Sequence, residues 1–573
     1  MLLPLSCAHR CAPTRHDRPY LALVVVACVA LLVYLEPRRA LAPSTDTPTA
    51  TGLDLVLAPN STSSSSPITA SSLAHLALPR FAALVSRPIL DYDSSLALES
   101  LRCPATHLQT NRDQLRNDGE GFWTQVTVDE LLGARDRVVE RVKARFGWGG
   151  LEGEMRSDAE VDEMLGKGRG LVFTAGNKDT TSRLLTSLRI LRRHHHCTLP
   201  VEIFCFPTEL AALEGTKLKR EIDELEGVTW REIEAEWVEG AWKQFGIKGD
   251  ALARTSFAEF LYLDSDNVPL VDPAFLFDSP TYRAHGAVLW PDFNRDSAAN
   301  PIWRLVSHPC SPAGAWQAES GQVLVNKRAH EGLDLVVLEV ARAMMRDEGF
   351  WFRLSGGDKD LFRYAFLFLS LPFGMAPHYP SALGGPLLPP LAPHTEGHTF
   401  CGHSMVQYGL DATREWALLR RRGEVRGEGG REEEEEAQHA PPLFVHANVL
   451  KHTGYAHRPG KTFVLVKRPE HDLLLGAPAS SSSSSSSSRS LPALPLSSIR
   501  QAGLAAPGHG GICVDLWDAA AVGGGAGEQV EGASAGAYER GEVRVERWDE
   551  VWEGAGKGFE EMYYGEGGVA GAW

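Results

Sequence analysis

Nine cysteines are present but no CxxC pair, and Cys7 and Cys11 have no partner pair at zinc-finger spacing, which argues against metal binding through thiolates. No basic stripe interleaved with aromatics occurs either. With 57 basic against 73 acidic residues the net charge is −16, which argues against an extended nucleic-acid surface. Neither GxGxxG nor GxxxxGK is present, so the chain carries no dinucleotide fingerprint and no P-loop. Paired acid and base residues at a recognisable spacing are missing too. What remains is a globular composition, 43% hydrophobic and 23% charged, over 573 residues, enough for two or three domains.

The most informative stretch is Phe260-Leu261-Tyr262-Leu263-Asp264-Ser265-Asp266-Asn267. A short apolar run reads as a strand buried on both faces, and ligands in open α/β sheets collect at the carboxyl ends of such strands. Asp264 and Asp266 stand at that end. Side chains at i and i+2 of an extended segment point the same way, so the two carboxylates can share one hard cation. Taking a group off a diphosphate needs such a cation to neutralise the leaving charge. In isolation the pair equally describes a solvated loop rich in Asp; the surrounding motifs reverse that.

From the start of the chain, Tyr20 to Leu35 is an almost uninterrupted apolar run with Arg10, Arg15 and Arg18 before it and Arg38 and Arg39 after it. It reads as a transmembrane signal-anchor over 20–36, behind a cytoplasmic tail of residues 1–19, with the remainder lumenal. A cleaved signal peptide ending near Ala40-Leu41-Ala42 is the alternative. Residues 37–88 are rich in Ser, Thr, Pro and Ala and read as a flexible stem, with a glycosylation sequon at Asn60-Ser61-Thr62. Residues 89–166 form a helical preface, with apolar positions at helical spacing from Val128 to Val142 behind an N-cap at Thr127.

Residues 167–470 carry the main domain. Leu171 to Gly176 is a strand, Leu184, Leu185, Leu188 and Leu191 mark a helix face, and Val201 to Phe206 is the next strand, together one βαβ crossover with parallel strands. Glu209 to Glu226 is helical, and Gly286–Asp292 and Glu319–Asn326 are further strands. Leu333 to Met344 traces a helix stripe, and Gly357-Asp358-Lys359-Asp360 caps another helix starting near Leu361. Trp290, Phe293 and Trp303 read as core rather than as a sugar-stacking platform. His446 ends the apolar strand Leu443 to Val445; taken alone it is structural. Residues 423–440, with five consecutive Glu, are an acidic loop insertion, and 471–573 are a low-complexity linker and Gly-rich tail with no assigned role. Of Cys103, Cys197, Cys205, Cys310, Cys401 and Cys513, one or two pairs are expected to bridge, with Cys205 buried and free.

Seven motifs in fixed order, LVFTAGN, LRILRRHHHCTLPVEIF, FAEFLYLDSDNVPLVDP, GAVLWPD, ESGQVLVNK, GGDKDLFRYAF and FVHANVLK, run from about Gly168 to Lys451. As an ordered set they resemble the fungal Golgi α-mannosyltransferases of glycosyltransferase family seventy-one, which extend glycan outer chains. The resemblance implies an α/β fold of GT-A type with a mostly parallel central sheet and type II topology in the Golgi membrane. It also implies a divalent cation, usually Mn2+, and mannose transfer from GDP-mannose to an α-mannoside acceptor on glycoproteins, with α-1,2 linkage favoured over α-1,3. A complex with other Golgi mannosyltransferases is compatible with it. Carried over by position, Asp264, Asp266 and His446 would hold the metal, with Asp266 the preferred direct ligand. Thr174, Gly176 and Asn177 would lie beside the nucleotide, and Lys248 would contact the diphosphate. Glu319, Gln322 and Asp358 are candidates for the reacting face, while Arg353 and Arg363 equally suit structural ion pairs.

Transfer from an α-linked donor to an α-linked product retains configuration. Double displacement would use Glu319 or Asp358 as nucleophile; front-face attack would let the departing phosphate take the acceptor proton, and it is preferred because no acid and base stand at recognisable spacing. A non-catalytic lumenal glycan-binding subunit is the competing class, and a glycosidase is disfavoured because it needs two opposed carboxylates and no metal-diphosphate site.

Overall fold

The computed structural model describes residues 67–103, 121–149, 155–234, 246–306, 308–311, 316–386, 400–422 and 440–450, then 460, 462–469, 474, 499–505, 512–518 and 543–570. The expected anchor, cytoplasmic tail, sequon, acidic insertion and poly-Ser run lie outside them. Among the described residues no helix is long and apolar enough to cross a membrane.

The part read as the end of a flexible stem is instead a helix. Thr69 and Ser72 form a capping box at the start of α1 (Ala70–Ser86), and Leu73, Ala77, Phe81 and Leu84 line its buried face. Ser/Ala-rich composition hid a stripe at helical spacing. Helices α2 (Tyr92–Arg102), α3 (Val128–Phe146) and α4 (Asp158–Leu165) follow. Thr127 and Glu130 close the capping box expected at the start of α3.

The α/β core then begins: β1 (Arg169–Thr174), α5 (Lys178–Arg189), β2 (Val201–Cys205), β3 (Val228–Glu232), α6 (Gly246–Arg254) and β4 (Glu259–Leu263). The short β5 (Asn267–Pro269) follows, then β6 (Ala287–Arg295), β7 (Trp316–Asn326), α7 (Leu333–Met345), α8 (Glu348–Ser355), α9 (Leu361–Leu369) and β8 (Gly374–Met375). One sheet has the order β3-β2-β1-β4-β7-β6-β8. Its first four strands are parallel, whereas β7 runs antiparallel to both β4 and β6, so the sheet is mixed. Strand β4 is apolar throughout because both faces are covered. Phe260 and Tyr262 join the core with α1, α3, α7 and α9, while Leu261 and Leu263 face the core built on Leu184 and Leu188 of α5.

A second sheet contains β9 (Ser381–Pro386), β10 (Phe400–Tyr408), β11 (Pro442–His446), β12 (Leu465–Pro469), β13 (Ile499–Ala505), β14 (Ile512–Asp518) and β15 (Val543–Arg547). Strand β11 pairs with both β10 and β5, which joins this sheet to the segment carrying the two aspartates. The Gly-rich end is therefore not a bare tail over residues 543–570. Strand β15 pairs with β12, and Trp548, Trp552 and, from α10 (Phe559–Gly565), Phe559 and Tyr563 are buried. The Glu560 carboxylate accepts from the backbone N–H groups of Gly460, Thr462 and Phe463, and Glu566 pairs with Arg193 and His194 at 2.8 Å each. Glycine-rich composition masked aromatics that are spaced to pack.

Trp290, Phe293 and Trp303 are core, as expected. Asp360 does stand before α9, but it makes no side-chain cap. Its carboxylate accepts instead from Ala318 N, Lys359 Nζ and Arg363 Nε. Competing ion-pair partners outbid a single helix N–H. Arg363, fully buried, also pairs with Asp296, so it is structural; Arg353 lies over the Phe122 ring at 3.6 Å.

Among the described residues the disulfide Cys103–Cys310 ties the end of α2 to the chain 207 residues later, and Cys197 and Cys205 are buried free thiols. Closing so long a loop restricts the unfolded chain, so Cys103→Ser should lose about 3–5 kcal/mol of stability. Denaturant unfolding checks this, and reductant should bring the native protein to the same midpoint.

Glu415 gives a pH test. Burial raises its carboxyl to about 8, against the N–H groups of Leu410 and Asp411, which favour the ionised form. A folded pKa raised above the unfolded one means stability is full below about pH 4.5 and is lost as pH climbs towards 8. Glu415→Gln is expected to match the native protein at pH 5 and to exceed it by about 3–5 kcal/mol at pH 8. Melting curves across pH 5–8 would read this directly.

Candidate active site

The apolar run of β4 ends at Leu263, and the next residue, Asp264, is fixed by its backbone N–H donating to Gly321 O at 2.9 Å. Tyr262 donates its hydroxyl to Asp264 Oδ1 at 2.6 Å and shares a second hydrogen bond with Thr174 Oγ1 at 2.8 Å, which couples β1 to the carboxylate. Lys248, from α6, reaches Asp264 Oδ1 at 3.2 Å, Asp358 Oδ2 at 2.9 Å and Ser320 Oγ at 2.9 Å. Burial alone would discharge this lysine, but Asp264 and Asp358 outweigh it and hold its pKa well above the usual value. Burial likewise pushes Asp264 up, opposed by Lys248 and His446.

His446 arrives by strand pairing. It lies opposite Asn267 across β5 and β11, and Ala447 N donates to Asp266 O at 2.9 Å. Its Nε2 is 3.2 Å from Asp266 Oδ1 and 3.9 Å from Asp264 Oδ2, and its Nδ1 is 3.3 Å from Glu319 Oε1. Burial pulls the imidazole down, yet Glu319 and then Asp266 hold it up to about 10. Glu319 shows the reverse balance. Burial raises it, but His446 and the Gly321 N–H, donating at 2.7 Å, bring it to about 2.

Glu319 reaches this position through a bulge. Leu289 of β6 faces Val323 while Trp290 faces Glu319, so Ser320, Gly321 and Gln322 crowd into one step of the ladder and β7 is re-aimed towards β4. Gly321 must be small here, since a Cβ would lie 2.5 Å from the His446 ring. Gln322 sits fully buried beneath the site, accepting from Asn267 Nδ2 at 2.6 Å.

The structure thus brings Thr174, Lys248, Asp264, Asp266, Glu319, Asp358 and His446 into one network. Gly176 and Asn177 shape the β1–α5 turn instead: Asn177 caps α5 by accepting from Thr180 N, and a Cβ at Gly176 would meet Glu209 at 2.1 Å. Several participants escaped the sequence. Arg183 of α5 lies 3.8 Å from Asp266 and pairs with Asp179 one turn away; that i,i+4 spacing was the available signal. Lys359 bridges Asp292 at 3.0 Å and Gln317 at 2.7 Å beside this network, a contact that no sequence spacing announces.

Asp264, Glu319 and His446 present one donor atom each within 4.8 Å of one another. Carboxylate oxygens with one imidazole suit a divalent cation such as Mn2+, so these residues fit the implied metal.

The mannosyltransferase family model Mannosyl_trans3 matches residues 168–303, which include β1, β4 and both aspartates. The chain is similar to alpha-1,2-mannosyltransferase MNN22 of Candida albicans, 39% identical over 15% of this chain and 14% of that protein. It is also similar to alpha-1,2-mannosyltransferase MNN24 of the same organism, 26% identical over 42% of this chain and 38% of that one. Alpha-1,3-mannosyltransferase MNT3 of Saccharomyces cerevisiae is 30% identical over 22% of this chain and 21% of its own length. The chain therefore spans 14 to 38% of the length of these curated relatives. Residues 168–303, which hold strand, turn and acidic motif, are thus similar to the mannosyltransferase family.

Proposed function

We propose that the protein is a retaining, metal-dependent α-mannosyltransferase of GT-A type that moves mannose from GDP-mannose to an α-mannoside acceptor on glycoproteins. The α-1,2 linkage is favoured because the similar proteins MNN22 and MNN24 carry that name, with α-1,3 as the rival through MNT3. The observation that carries this reading is the convergence of Asp264, Asp266, Glu319 and His446 at the carboxyl end of β4. The lumenal Golgi location, the N-terminal anchor and association with other mannosyltransferases belong to the same proposal.

Asp264, Glu319 and His446, whose donor atoms lie within 4.8 Å of one another, would hold the cation, with Asp266 3.2 Å from Nε2 of His446. When bound, Mn2+ supplies charge that neutralises a departing diphosphate. Lys248 adds fixed positive charge beside Asp264 and is held by Ser320 and Asp358, so it stays oriented without reorganisation. Thr174 fixes Tyr262, which in turn fixes Asp264. Both carboxylates considered as nucleophiles are already engaged, Glu319 with His446 and Gly321 N–H and Asp358 with Lys248. That favours front-face attack, with the leaving phosphate accepting the proton of the acceptor hydroxyl.

The test is GDP release from GDP-mannose with an α-mannoside acceptor, with and without Mn2+, for the native protein and Asp266→Asn. Turnover that needs Mn2+ and is lost in the variant supports the transferase. No metal-dependent turnover by folded protein across several donors and acceptors would favour the glycan-binding subunit.

A further inference from the structure

Arg295 is a buried charge whose donors are left over. It is 5% exposed, yet its Nε and Nη2 have no hydrogen-bond partner among the described residues. The acidic group beside it, Asp296, is already engaged by Arg363, Tyr364 and Gln317. Burial draws the guanidinium down to about 10, with Asp296 opposing, so it remains charged at neutral pH. Stacking over the Trp316 ring, 5.3 Å from the centroid, eases desolvation but uses none of the N–H donors. A buried guanidinium offering two unused donors in a planar fork matches an oxyanion.

Its position says on which side of the reaction that oxyanion lies. Strands β4 and β6 are both antiparallel to β7 and so parallel to each other, which puts the carboxyl end of β6 at the sheet edge that carries Asp264. Arg295 lies there, opposite Trp316, three residues before Glu319 on β7. Two strand spacings separate β6 from β4, about 10 Å. The resemblance implies a nucleotide on the opposite side of β4, at the β1–α5 turn.

We infer that Arg295 forms an acceptor-side subsite for an anionic group, a phosphate ester or carboxylate on the glycan that receives the sugar. That the ligand is an acceptor rests on the transferase reading; binding of the anion does not.

The experiment is therefore run on the full chain without donor and with the metal chelated, in an Asp264→Asn background so that the metal site contributes nothing. Inorganic phosphate is titrated while the melting temperature is followed. A saturable rise that is absent in Arg295→Met, and that needs at least tenfold more phosphate in Arg295→Lys, is expected. Mannose 6-phosphate and glucuronate, with mannose as the uncharged control, then distinguish ester phosphate from carboxylate; a shift with either supports the subsite. Equal shifts with and without the guanidinium, or no shift with any of the three anions, overturn it. If Arg295→Met does not fold, Arg295→Lys alone decides: an unchanged phosphate midpoint overturns the subsite. Because no turnover is measured, failure here is distinct from failure of the transferase assay.

Discussion

His446→Ala is expected to lower kcat/KM for mannosyl transfer on the order of 10^3-fold, about 4 kcal/mol of transition-state stabilisation. The reason is geometric. The ring stands between Asp264 and Asp266 on one nitrogen and Glu319 on the other, so deletion removes a donor and leaves three carboxylates, two of them buried, facing one another. The imidazolium compensates those charges, and a bound cation would take the neutral ring and the carboxylates as donors. The variant should therefore also bind Mn2+ far more weakly, which calorimetry measures apart from turnover. Steady-state assays with saturating Mn2+ should recover little of the loss, since the donor itself is gone. Full activity in His446→Ala would remove the residue from the site.

Arg363→Met is expected to cost about 3–5 kcal/mol of folding stability and to reduce activity through the same lesion. Arg363 is fully buried between Asp296 and Asp360, and its loss takes the ion-pair partner from Asp296 and leaves it hydrogen-bonded to neutral groups such as Tyr364 and Gln317. Asp360 also receives Ala318 N at 2.8 Å, so the network seats β7 one residue before Glu319. Chemical denaturation reads the first effect. The double replacement Arg363→Met with Asp296→Leu should recover most of the stability, because a buried pair replaced as a unit no longer leaves a lone charge. A single variant as stable as the native protein would show that Asp296 finds other compensation.

Much of the donor side could be read along the chain because it is local. A β-strand alternates its faces every residue, so an apolar run ending in Asp264-Ser265-Asp266 fixes both the buried strand and the pair of carboxylates at its tip. The capping box of α3 and the β1–α5–β2 unit are similarly short-range. Composition misled at both ends. The helical face of α1 sat inside a Ser/Thr/Pro-rich stretch, and the packed aromatics of 548–563 sat inside a Gly-rich one. Composition averages over a window, whereas burial depends on a few residues at the right spacing.

By itself, then, the sequence determined the α/β pattern, the acidic tip of β4 and the resemblance that singled out His446, Lys248 and Glu319. Tertiary structure alone decided how they meet. His446 reaches Asp266 only because β11 pairs with β5, 180 residues apart, and Glu319 faces the ring only because β7 bulges at Ser320–Gln322. Lys359 with Asp292, Arg183 with Asp266 and the Arg295 donors left without a hydrogen bond among the described residues are equally products of packing. Register, bulges and the balance of buried charge depend on contacts between distant segments, and no local spacing encodes them.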